Sequence, residues 1–257
     1  MSDATVAARQ VRYEQKLFWR NPASAFFAFL FPIIFLVVFA TIFKDTNAPV
    51  NGVKVKYDDY YIPALVTFGV IGACFTNIAA SISIRRDDGI LKRLRGTPLP
   101  PWAFLAGVIG SSVIVSVLLV VLTVGFGVLV YGVHLPNHFG PLLLSLAVGA
   151  MTFCALGLAM TVAIPNAEAA PAIVNGVLLP VVFISGTFFP IDPTSVVTKI
   201  AEYFPVKHFI NALFTAFDPA HQSATGFVGN DLLIMAAWGV VGIVIAVRRF
   251  RWEPRRT

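Results

Sequence analysis

The residues able to do chemistry are few and scattered. Acid–base work needs convergent groups, and Asp58, Asp59, Asp192, Glu202 and His208 are the candidates, but nothing in their spacing defines a site. His134 and His138 stand four apart around Pro136, a spacing at which two imidazoles can share a metal; no third ligand is near in sequence, so they read as turn residues. Cys74 and Cys154 sit in apolar runs and read as small packing residues. Two Cys in 257 residues exclude a disulfide scaffold and a Cys-rich metal centre. No Gly is followed by Lys, which excludes a phosphate-cradling P-loop, and neither H-E-x-x-H nor G-x-S-x-G occurs. What remains is hydrogen bonding and docking. Asn77, Ser81, Asn175, Ser185 and Thr187 are amides and hydroxyls set within or beside long apolar runs, and one loop concentrates charge.

That loop is Arg85-Arg86-Asp87-Asp88-Gly89-Ile90-Leu91-Lys92-Arg93-Leu94-Arg95-Gly96-Thr97-Pro98-Leu99-Pro100-Pro101. Asp87 or Asp88 is placed to cap a short helix with Gly89 in its first turn. Ile90, Leu91 and Leu94 would make its apolar face, ringed by Lys92, Arg93 and Arg95. Gly96 can end the helix, and Thr97-Pro98 blocks its continuation. Charge alone would suffice as a topology signal. The added cap, apolar face and stop point to a docking surface, or to a helix resting on lipid headgroups.

Composition decides what carries this loop. The chain is 57% hydrophobic and 12% charged, with 23 Phe, and its mean hydropathy is +0.80. Soluble domains carry about 25% charged residues, so an ordinary cytosolic enzyme and a disordered chain are both excluded. An all-α membrane protein is expected. Six runs are long enough to cross a bilayer: Ala25–Phe43, Tyr61–Ile84, Trp102–Gly132, Phe139–Ile164, Ala169–Phe189 and Leu232–Val247. The third is long enough to tilt or protrude. Of the 19 Lys and Arg, 14 fall in the N-terminal segment, the loop after the second run and the C-terminus. The positive-inside rule then sets both termini in the cytoplasm of a multi-pass plasma-membrane protein. The net charge of +6 reads as orientation and not as nucleic-acid binding. Trp19, Trp102 and Trp252 fall near cytoplasmic ends, and Tyr57, Tyr60 and Tyr61 at the outer end of the second run.

Pro193–Phe217 is apolar but holds Lys199, Glu202 and Lys207. Three charges near a span centre would cost roughly 7–10 kcal/mol. Two short helices broken near Pro205 and dipping into the outer membrane edge are expected instead. Before the first run no cleavable leader is expected. Thr5–Arg20 can coil with Arg9, Arg12, Lys16 and Arg20 on one stripe and Val11 and Phe18 opposite, either as an interfacial helix on the inner leaflet or as a basic tail. The expected organisation is a cytoplasmic amphipathic helix over 1–24, one membrane domain over 25–248 with the polar loop at 85–101 and a re-entrant segment at 190–217, and a basic tail at 249–257. Away from their ends the six runs hold no ionisable residue except cysteine, which argues against an ion-coupled transporter or channel, the alternative reading. Glu168, at the start of the fifth run, reads as an acid favoured by a helix N-terminus.

The polar loop resembles the coupling-helix region of ATP-binding cassette permeases of type 2 (ABC-2), in which an acid, Gly, an apolar pair, Leu and then Thr-Pro-Leu recur. A second stretch also matches: Pro180, Ser185-Gly186-Thr187-Phe188-Phe189-Pro190, Pro193, Phe204-Pro205 and Ala212-Leu213. The chain is similar to permeases of the daunorubicin drug-efflux kind. The resemblance implies the membrane subunit of an exporter, paired with a second copy or a paralogous permease. It has no catalytic site and no cofactor of its own. ATP and Mg are bound by separate ATPase subunits. It assigns ATPase docking to Asp87, Asp88, Gly89, Leu91, Arg93, Leu94 and Thr97. The transport path falls to Asn77, Ser81, Asn175, Ser185 and Thr187, for which helix–helix hydrogen bonding at about 0.6 kcal/mol each is the competing role. Phe188 and Phe189 are assigned to an outer gate, and a path lined by Phe, Ile, Leu and Val suits an amphipathic drug or a lipid-like molecule.

Overall fold

Backbone polar groups in hydrocarbon find partners by coiling into helices, and the apolar runs do so here. The computed structural model describes residues 3–43, 46–50, 53–191, 194–218, 223–250 and 252–253. Lys44, Asp192, Pro193, Arg251, Arg255 and Arg256 lie outside the described residues, as do the side chains of Lys54 and Asp58. Helix α1 (Asp3–Arg20) passes through Asn21 into α2 (Pro22–Ile42). A two-stranded antiparallel hairpin follows, β1 (Asn47–Val50) against β2 (Val53–Lys56). Then α3 (Tyr57–Ile71), a π-turn (Gly72–Thr76) and α4 (Asn77–Asp87) continue as one rod. The charged loop carries α5 (Ile90–Arg95). After it come α6 (Pro101–Tyr131), α7 (Phe139–Met160), α8 (Ala170–Ile184), α9 (Val196–Ala201), α10 (Pro205–Phe217) and α11 (Gly229–Arg249).

Among the described residues, five helices are long and apolar enough to cross a membrane: α2, the α3–α4 rod, α6, α7 and α11. The expected fifth span is α8, and it is shorter than the sequence suggested. Its 15 residues rise about 22 Å, against a hydrocarbon core of about 30 Å. The helix stops because Gly186 turns the chain with φ of +81°, so Thr187 to Phe189 are not helical. The fourth expected span also ends early, at Met160, where Thr161–Ala163 form turns before Pro165. The short pair of helices is present as α9 and α10, and Pro205 opens α10, where its missing N–H costs nothing.

Helix α7 is the hub. Gly157 lets it meet the π-turn, since a Cβ there would lie 2.8 Å from the Phe75 carbonyl oxygen. On its other side Gly242 of α11 approaches the α7 backbone at Ala155, and Thr152 donates a hydrogen bond to the Met235 carbonyl at 2.9 Å. Helix α6, at 31 residues, spans about 46 Å, more than the hydrocarbon needs. Helix α1 covers its surplus first turns: Gln10 packs on Gly107, Val11 on Gly110, and the Gln15 amide donates to the Ser111 carbonyl at 3.0 Å. Outward faces of α2, α6 and α11 keep large apolar side chains exposed, among them Phe27, Val121, Leu129 and Val247.

Candidate functional site

The charged loop is tethered to two neighbouring segments through Arg85, Arg86 and Asp87, the last turn of α4. Arg85 forms a two-pronged bridge to Glu14 of α1, at 2.8 and 2.7 Å, and Glu14 is buried. Arg86, 2% exposed, donates to the carbonyls of Thr161 and Ile164 at 2.9 and 2.7 Å, in the connection from α7 to α8. Asp87 accepts from the backbone N–H of Ala167 in the same connection at 2.5 Å. Neither aspartate caps α5. Gly89 does, with φ of +70°, a left-handed conformation in which Gly has no steric penalty. Of the seven docking candidates, Asp88, Arg93 and Thr97 are exposed, while Gly89, Leu94 and Asp87 are half-buried. Leu91 is fully buried and anchors α5 to its own chain, so the outward apolar surface is Ile90 with part of Leu94. The Thr97 hydroxyl donates to the Leu94 carbonyl at 2.7 Å and closes the helix end.

The path candidates divide between two places. Asn77 and Asn175 line one cavity of about 440 Å³ between α2, the rod, α6 and α8, with Phe31, Phe68 and Leu178. Thr76, in the π-turn, also lines it, and its buried hydroxyl finds no hydrogen-bond partner among the described residues. Ser81 lies one turn beyond Asn77 and bonds weakly to the Ile78 carbonyl at 3.4 Å. Ser185 and Thr187 are at the other end of α8. The Ser185 hydroxyl donates back to Val181 at 2.6 Å, and Thr187 is buried without a described partner. The intervening Gly186 carbonyl accepts from the Tyr60 hydroxyl. Phe188 is buried against Phe68, Phe35 and Phe183, with ring centroids 5.4, 6.1 and 4.9 Å away, whereas Phe189 is half-exposed beside Phe39. Phe31 stacks on Phe68 at 5.5 Å, so aromatic rings run from the Asn77 cavity to Phe188.

The sequence profile of the ABC-2 type transporter matches residues 9–217. The chain belongs to that family. No curated protein matches it. This ABC-2 chain is thus a multi-pass membrane component of an ABC transporter, a family whose ATPase is carried on separate subunits. The matched region includes α5, both tethers to it and the Asn77 cavity, and it stops before α11.

Sequence reasoning missed three groups in the ABC-2 chain. Glu14 was legible as the one acid in the middle of a basic helix. Arg86 was read only as loop charge, because a backbone-bound guanidinium leaves no pattern in sequence. The third is a polar cavity of about 330 Å³ at the end of the bundle opposite α5, lined by Tyr60, Ser185, Glu202, Lys207, Asn211 and Asp231. Burial pushes the Lys207 ammonium below its ordinary range, against the opposing pull of Glu202 and Asp231. The hydrogen bond to the Asp231 carboxylate raises the His208 imidazole above its ordinary value of 6.5, outweighing the effect of burial. Asp59, Glu202 and His208, which have no readable spacing, thus gather at this end, with Asp59 3.6 Å from His134.

Proposed function

We propose that this chain is the permease subunit of an ABC exporter that moves a hydrophobic or amphipathic substrate, a drug or lipid-like molecule, outward. ATP and Mg are bound and ATP is hydrolysed on a separate nucleotide-binding subunit. Two permeases, identical or paralogous, form the pathway. Each crosses the membrane six times, α8 being the fifth crossing, with both termini in the cytoplasm and α9–α10 re-entering from outside. The observation that supports this reading best is the tethering of the turn that leads into α5, by three side chains to two neighbouring segments. A helix that served only as a charged topology signal has no need of Arg85–Glu14, Arg86–Thr161 and Asp87–Ala167 together.

The tethers suggest how force is passed on. The exposed surface of α5, with Asp88, Ile90, Arg93 and Thr97, fits a groove on the ATPase, and Leu91 fastens α5 to the permease. When ATP draws two ATPases together, α5 moves. Arg86 and Asp87 carry that motion to the start of α8, and α8 flanks the cavity through Asn175. The cavity offers an apolar wall with two amides and the Thr76 hydroxyl, which suits a molecule with a large apolar body and a few polar groups. Phe188 and Phe189 close it on the outer side.

The test is co-purification with a candidate nucleotide-binding protein from the same genome, and the ATPase rate of the complex. Asp88→Ala/Leu94→Asp is expected to lose the complex and the stimulated turnover while the isolated permease remains folded. Equal binding and turnover by both proteins would overturn the docking assignment. Transport driven by an ion gradient with no ATPase would favour the channel or secondary-transporter reading instead.

A further inference from the structure

His208 has both ring nitrogens turned to acceptors. Nδ1 lies 2.5 Å from a carboxylate oxygen of Asp231, in the first turn of α11, and Nε2 lies 2.8 Å from the Glu202 carbonyl oxygen that follows α9. A neutral imidazole has one N–H and one lone pair. If it donates to the carbonyl, its lone pair faces the carboxylate; if it donates to the carboxylate, its lone pair faces the carbonyl. His208 is 6% exposed and Asp231 9%, and lone-pair opposition within so buried a pair is costly. Both contacts are satisfied when the pair holds one more proton, as imidazolium beside carboxylate or as imidazole beside carboxylic acid.

We propose that His208 and Asp231 form a proton-operated clasp: with the extra proton aboard, α9 and α10 are tied to α11 beside the polar cavity, and its loss breaks one of the two ties and frees the α9–α10 pair. The clasp rests on the proposed export reading only for its place on the outer side. The groups around it are few. Helix α11 presents Asp231, the turn after α9 presents Glu202, and α10 itself presents Lys207. From α3, Tyr60 faces the same cavity. The only side chain of α7 able to ionise is Cys154, and α8 has none. The raised pKa of His208 fixes the sign. The tie is fully present below about 6.5 and is lost as pH rises through the higher value of the folded state. Two looser pairs stand at the same end, His134–Asp59 at 3.6 Å and His138–Asp218 at 3.9 Å, and must be separated from it.

The chain supplies its own reporter. The Trp238 indole of α11 donates to the Tyr203 carbonyl, between α9 and α10, at 3.0 Å. A variant with Trp238 as its only tryptophan (Trp19→Phe, Trp102→Phe, Trp252→Phe) is reconstituted alone in phosphatidylcholine nanodiscs and titrated from pH 5 to 9. The expected result is one sigmoidal shift of Trp238 emission with its midpoint above 6.5. His208→Gln abolishes it, and Asp231→Asn, which keeps the shape and removes the charge, flattens it, while His134→Gln and His138→Gln leave it in place. A flat profile in the parent, or an unchanged titration in both His208→Gln and Asp231→Asn, would overturn the proposal. No ATPase or substrate is present, so neither result bears on export.

Discussion

Glu14 and Arg85 show what a single residue does in this chain. Glu14 is buried within a helix otherwise lined with Arg and Lys, and it would be an uncompensated charge without the guanidinium of Arg85. Arg85 keeps some access to water, with 18% of its side chain exposed. Removing either partner is therefore expected to cost on the order of 2 kcal/mol, below the 3–5 kcal/mol of a fully buried pair. Glu14→Gln and Arg85→Gln should each lower the thermal midpoint in detergent, and the double variant should cost little more than either alone. Additive losses would mean that the two side chains act separately. Buried hydroxyls differ in kind. Thr76 faces the cavity that Asn77 and Asn175 also line, without a described partner.

Among the elements, the glycines of α6, α7 and α11 set how closely helices approach. Gly157→Ala would drive a Cβ against the Phe75 carbonyl, a rigid backbone atom, and is expected to destabilise by about 1–3 kcal/mol. Gly125→Ala meets nothing within 4 Å and should be neutral or gain up to about 1 kcal/mol from helix propensity. Thermal unfolding of the two variants side by side checks the contrast. Apolar runs made the long helices legible in sequence, because length and hydropathy alone decide them. Their ends were less so. Gly186 stops α8 through a left-handed turn that Ser185-Gly186-Thr187 only hints at, and Tyr57 starts α3 four residues early, carrying Asp59 into its first turn. The π-turn at Gly72–Thr76 leaves no trace, since one extra residue per turn does not disturb a run that is apolar all round. The loop helix was readable but its anchoring was not: Leu91 looked like docking surface, and only the fold turns it inward.

At the scale of the whole molecule, polarity is separated by end. The tethered loop, α1 and Arg248–Arg249 carry the basic excess, whereas His134, His138 and His208 each meet an aspartate near the hairpin, the α6–α7 connection and α10. Labelling with an impermeant maleimide checks the proposed orientation. Cys74 and Cys154 are buried, so the native background is low. Lys199→Cys should react in intact cells and Thr97→Cys only after permeabilisation. The reverse pattern would invert the protein in the membrane, and reaction of both from outside would require an even number of crossings between them in place of the three proposed.

The seat of α1 also sets an order of manufacture. Glu14 waits for a partner 71 positions later, and Gln15 for one 96 positions later. A ribosome delivers the N-terminus first, at about 5–20 residues per second. For several seconds, then, α1 has emerged while the surface that receives it is not yet made. A chain that stalls before Arg85 leaves the Glu14 carboxylate without its partner and Val11 without Gly110 to pack on, so an unfinished copy differs from a finished one at the surface of its first helix.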